Sequence, residues 1–86
     1  MNHTLHIASL VVLARPELLD AVKANLRLLE GLELHQQSAA GKLVVVLETH
    51  DENQILQRID QINNLPGVLN AALIYHELLD TAGEIE

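Results

Sequence analysis

Eighty-six residues, 49% of them apolar, suffice for one core in one domain, and they leave too little chain to wall a deep catalytic cavity on all sides. Cysteine is absent, which removes disulfides, thiolate catalysis, iron–sulfur ligation and c-type haem attachment. A net charge of −7 and a single aromatic residue, Tyr75, argue against a nucleic-acid partner, because phosphates are repelled and platforms for base stacking are missing. The same acidity favours a basic peptide or a basic protein surface, through an attraction that weakens as salt rises.

The first apolar run, residues 5–13, is β-branched and continuous enough for a central strand. No run approaches the roughly 20 residues that span a bilayer, and no Lys or Arg precedes the first one as a secretory signal requires. A cytoplasmic protein without membrane insertion is therefore expected. Pro16 suits a first helical turn, where its missing N–H has no partner to lose. Leu18, Leu19, Val22, Leu26 and Leu29 then recur at helical spacing over residues 16–30, and Gly31 is suited to a left-handed cap. Residues 32–37 alternate apolar and polar, as an edge strand does. A turn at 38–41 joins them to a second central strand at 43–47.

The motif Thr49-His50-Asp51-Glu52 reads as a capping box. It opens a second helix with Ile55, Leu56, Ile59 and Ile62 as its inner stripe, ended by Pro66 and Gly67. Residues 68–76 form the last strand. Residues 77–86 hold four acidic side chains and no basic one, the composition of a frayed tail. The expected organisation is one domain over residues 1–77 and an acidic, disordered tail over 78–86.

Residues 29–34 (LEGLEL) and 65–70 (LPGVLN) look like one helix-to-strand junction written twice, so the chain divides into two strand–helix–strand units. The order βαββαβ implies an α+β ferredoxin-like sandwich, a four-stranded sheet with two helices on one face. That topology makes the first and third strands central, and those are the two most apolar runs. Aligning the units sets Ala8, Leu10 and Val12 with Leu43, Val45 and Leu47 on the helix side. Ile7, Ser9, Val11 and Leu13, with Lys42, Val44, Val46 and Glu48, fall on the other. Two helices cover only one face, so this second apolar face is expected to be an interaction site. The last strand assigns less simply, since Val68 and the set Ala71, Leu73 and Tyr75 take opposite parity unless a bulge intervenes.

Other chemistry finds little support. His3, His6, His35, His50 and His76 include no helical i, i+4 pair of the zinc-site kind, and no cysteine joins them. His6 and His76 alone could meet, on neighbouring strands. Ser9 lacks a glycine-rich elbow to make it a nucleophile. Arg15 sits where acylphosphatases of this fold carry an arginine, but the phosphate-cradling glycines are missing. No catalytic residue, metal or cofactor is therefore expected.

With HIASLVVLARPE in its first unit, GKLVVVLETHDE in its second and LPGVLNAALIYHE near its end, the chain resembles the NapD family over residues 3–77. The most specific pieces are SLVV at 9–12, VVVLE at 44–48, PGV at 66–68 and IYH at 74–76. The resemblance implies a non-enzymatic cytoplasmic chaperone of ferredoxin-like fold. It would bind the twin-arginine signal peptide of the periplasmic nitrate reductase catalytic subunit and hold back export until the molybdenum cofactor is inserted. The expected peptide-binding residues are Ile7, Ser9, Val11, Leu13, Val44, Val46 and Glu48. The peptide's apolar side would lie on the valines, and Glu48 would meet an arginine. A monomer without cofactor is expected. Two rivals share the fold: a dimeric small-molecule regulatory domain, and a subunit whose free face is buried in a homo-oligomer.

Overall fold

The computed structural model describes residues 4–80. Strand β1 (Thr4–Ala14) leads through one turn of 3-10 helix (Pro16–Leu18) into helix α1 (Leu19–Leu26). Strands β2 (Leu32–Gln37) and β3 (Lys42–Thr49), helix α2 (Glu52–Asn63) and strand β4 (Val68–Asp80) follow. The sheet order is β2-β3-β1-β4 with every neighbouring pair antiparallel, so β1 and β3 are central, as the ferredoxin-like reading requires.

The core lies between the sheet and its helices. Ala8, Leu10, Val12, Leu43, Val45 and Leu47 are each 0% exposed, and Val22, Leu26, Ile55 and Ile62 close over them from the helices. The parity assigned to the two central strands is therefore correct, and every second residue of both enters the core.

The two junction glycines show why the repeat exists. Gly31 and Gly67 adopt φ of +80° and +90°, the left-handed region that L side chains avoid. Each carbonyl then accepts a hydrogen bond from the other unit, Gly31 from the Glu48 amide at 2.9 Å and Gly67 from the Arg15 amide at 2.8 Å. The two halves are thus tied at equivalent corners.

Four local expectations are corrected. The first helix does not run from 16 to 30: it starts as a 3-10 turn, and α-helix ends at Leu26, after which the amides of Leu28 and Leu29 turn back to Asn25 and Leu26. The second helix is capped by Asp51, not Thr49, and the Asp51 carboxylate accepts from the Asn53 amide at 2.9 Å. Thr49 ends β3 instead, its hydroxyl donating to the Asp51 carbonyl at 2.8 Å. Leu56 is not part of the inner stripe, being 62% exposed, while Ile55 and Ile62 are buried. Finally, β4 does not stop at 76. Residues 77–80 remain in the strand and pair with residues 4–7 of β1, which leaves 81–86 of the expected tail outside the described residues.

Candidate functional site

The face of the sheet turned away from the helices carries all seven residues singled out in the sequence. Strand pairing arranges it in rows, because directly opposed residues in an antiparallel ladder project to the same side. At one margin Leu5 of β1 opposes Leu79 of β4, and the row after it is Glu48, Ile7 and Glu77 on β3, β1 and β4. Next comes Glu33 of β2 with Val46, Ser9 and Tyr75, then Gln36 with Val44, Val11 and Ala72. Lys42, Leu13 and Asn70 form the last. The result is an apolar strip with carboxylates near one end and an ammonium group at the other.

Residues along the middle of this strip, Ile7, Ser9, Val11, Val44 and Val46, are half-buried by their neighbours alone, and Leu13 is exposed. Glu48 and Glu77 are exposed, and among the described residues neither has a basic side chain within ion-pair distance. An apolar strip bordered by unneutralised carboxylates suits a ligand that is itself apolar along one side and cationic at one end.

Two bulges decide what β4 contributes. The register with β1 slips between Ser9 and Leu10, leaving Ile74 unpaired, and again between Leu13 and Ala14, leaving Leu69 unpaired. Each slip reverses parity. Val68, Ala71 and Leu73 therefore oppose helix-side residues, whereas Asn70, Ala72, Tyr75 and Glu77 oppose Leu13, Val11, Ser9 and Ile7 on the open face. The outer edge of β4 is also partly closed, since the Asn63 side chain accepts from the Ala71 amide at 2.9 Å and donates to its carbonyl at 3.3 Å. Both devices discourage another strand from adding there.

The remaining candidates do not assemble into chemistry. His6 and His76 do meet, Nδ1 to Nε2 at 3.1 Å with stacked rings, but among the described residues no third ligand completes a metal site. Ser9 lies between Val46 and Tyr75, so neither residue opposite it is a general base. Arg15 pairs at 3.7 Å with its exposed neighbour Glu17. A hollow of about 460 Å³ runs along β2, lined by Arg27, Glu33 and residues 34–37, and one of about 280 Å³ lies beside Glu48, Asp51 and Arg58. Both are polar margins of the sheet.

The chain matches the family model described as NapD protein over residues 5–80. It is 33% identical to the chaperone NapD of Escherichia coli K12 over 78 residues, 90% of each protein. The chain belongs to the NapD family. Chaperone NapD of Haemophilus influenzae is 32% identical over 84% of the chain and 78% of its own length. The solution structure of the E. coli Tat proofreading chaperone protein NapD superposes with a TM-score of 0.81 at 33% identity, covering 90% of this chain and 82% of that one. The fold is thus the NapD fold, and the family likeness supports a chaperone role. Among the described residues, no helix is long and apolar enough to cross a membrane.

Within that NapD framework, sequence reading found the β1 and β3 part of the open face and missed the β2 and β4 part. Glu33 could have been found from the alternation of residues 32–37. Tyr75 and Glu77 could not be assigned without the bulge at Ile74, which no turn residue announces.

Proposed function

We propose that this protein is a cytoplasmic, non-enzymatic chaperone that binds the twin-arginine signal peptide of the periplasmic nitrate reductase catalytic subunit. By masking the peptide it holds back export until the molybdenum cofactor is inserted. The observation that carries this reading is the apolar strip on the face away from the helices, with carboxylates near one end, on a chain of the NapD family.

The dimensions support a helical ligand. From Ile7 to Leu13 the strip is about 20 Å long at roughly 3.4 Å per strand residue, the length of a helix of about 13 residues. Apolar segments of signal peptides fall in the range of about 7–15 residues. The peptide's apolar side packs on Val11, Val44 and Val46, with Ile7 and Leu13 extending the contact and Ser9 offering a small gap in the middle. Glu48 accepts a charge-assisted pair from an arginine. None of this requires a catalytic group or a second copy of the chain.

Calorimetric titration of the protein with that signal peptide, at low and high salt, tests the reading. One-to-one binding that weakens with salt and disappears when both arginines become alanine is expected. Absence of binding at high protein concentration removes the proposal and returns the free face to a small-molecule or oligomer role.

A further inference from the structure

We propose that Glu77 acts with Glu48 as a pair of arginine-accepting carboxylates, and that this pair sets the direction of the bound peptide, parallel to β1. The inference rests on the reading that the open face holds a peptide with a basic segment followed by an apolar one.

Glu48 and Glu77 both oppose Ile7, one from β3 and the other from β4. Their Cα atoms are therefore two strand spacings apart, about 10 Å, with an apolar side chain between them. Two adjacent residues on a helix leave its axis about 100° apart. Successive arginines lying over Ile7 are thereby splayed to opposite sides, one toward each carboxylate. A single acidic residue offers no such division of labour. Glu33, diagonal to Glu48 across the Val46 row, adds to the negative field at the same end.

The opposite end differs in sign. Among the described residues that pair onto the open face, Lys42 is the only Lys or Arg, in the row with Leu13 and Asn70. A helix carries partial positive charge at its N-terminus and partial negative charge at its C-terminus. Lys42 therefore favours the peptide's C-terminal end. At the other end the partial positive charge of the helix N-terminus and the formal charges of the arginines are both attracted to Glu48 and Glu77. Signal peptides place their basic residues before the apolar segment, so both ends of the strip select the same direction. The peptide's N-terminal part lies over Ile7, its apolar segment runs over Val11 and Val44, and its C-terminal part reaches Leu13.

The test uses the full chain, isotope-labelled, with a synthetic twin-arginine signal peptide carrying a nitroxide at one end or the other. The N-terminal label is expected to broaden the amides of Ile7, Glu48 and Glu77, and the C-terminal label those of Leu13, Lys42 and Asn70. The reverse pattern, or equal broadening from both labels, overturns the direction while leaving peptide binding intact. In parallel, Glu77→Gln is expected to weaken binding about tenfold, the size of one charge-assisted pair. That loss should largely vanish when the peptide arginine facing it is already glutamine. Unchanged affinity of Glu77→Gln, with tight binding by the parent protein, overturns the pair alone. If the parent protein does not bind the peptide, the proposed function fails and this inference with it.

Discussion

The two faces of this sheet are built from nearly the same side chains. Leu10, Val12, Val45 and Leu47 are sealed under the helices at 0% exposure, while Val11, Val44 and Val46, one residue away on the same strands, stay half-exposed, with no layer above them among the described residues. Residue type does not separate the part that folds the protein from the part available to a partner. Parity does, because neighbouring residues on a strand project to opposite faces. The valines of the open face are kept at the cost of an apolar surface that a monomer has no structural use for.

Breaking the helix-side face should have the largest effect. Leu47→Ala leaves a cavity in the core between sheet and helices and is expected to lower stability by about 2–5 kcal/mol, whereas Val46→Ala beside it should lower it by less than about 1 kcal/mol. Urea denaturation of the two variants measures the contrast directly. Similar losses would mean that the open face is packed in solution, as in a homo-oligomer.

Gly31→Ala should come next, because it touches both faces. The added Cβ meets the Glu48 backbone oxygen at 2.5 Å and sits at a φ of +80°, so a loss of about 2 kcal/mol is expected from strain and clash. Since the clash displaces the strand that carries Glu48, peptide affinity should fall as well, which calorimetry on the folded variant would detect.

Val46→Asp sharpens the comparison from the other side. At half-buried Val46, with Glu33 directly opposite, the added carboxylate should lower stability by about 1–2 kcal/mol. A carboxylate in the middle of the apolar strip should still weaken peptide binding at least tenfold, about 1.4 kcal/mol. The smallest effect is expected in the helix layer, at its cap. Asp51→Ala removes the acceptor for the Asn53 amide and should cost about 1 kcal/mol, with peptide binding left within twofold.

Most of the architecture was legible because each level of the sequence agreed with the others. Apolar runs, a proline and a capping motif marked the elements, and two glycines fixed the corners. The central strands and their parity followed. What stayed hidden depended on competition that a linear pattern does not display. Thr49 and Asp51 are both able to cap α2, and the choice went to Asp51 because Thr49 is held as the last residue of β3. Ile74 looks like an ordinary strand residue, yet as a bulge it turns Tyr75 and Glu77 onto the open face. Glu77 resembled the start of an acidic tail because charge suggested disorder, while its pairing opposite Ile7 keeps it in the sheet.

The most direct test of a peptide-binding sheet face is amide chemical-shift mapping of the labelled protein during titration with the twin-arginine signal peptide. Shifts concentrated on alternate residues of β1 and β3, led by Ile7, Val11, Val44, Val46 and Glu48, with α1 and α2 nearly unmoved, are the predicted result. Shifts centred on the helices, or on the outer edge of β2 or β4, would contradict it.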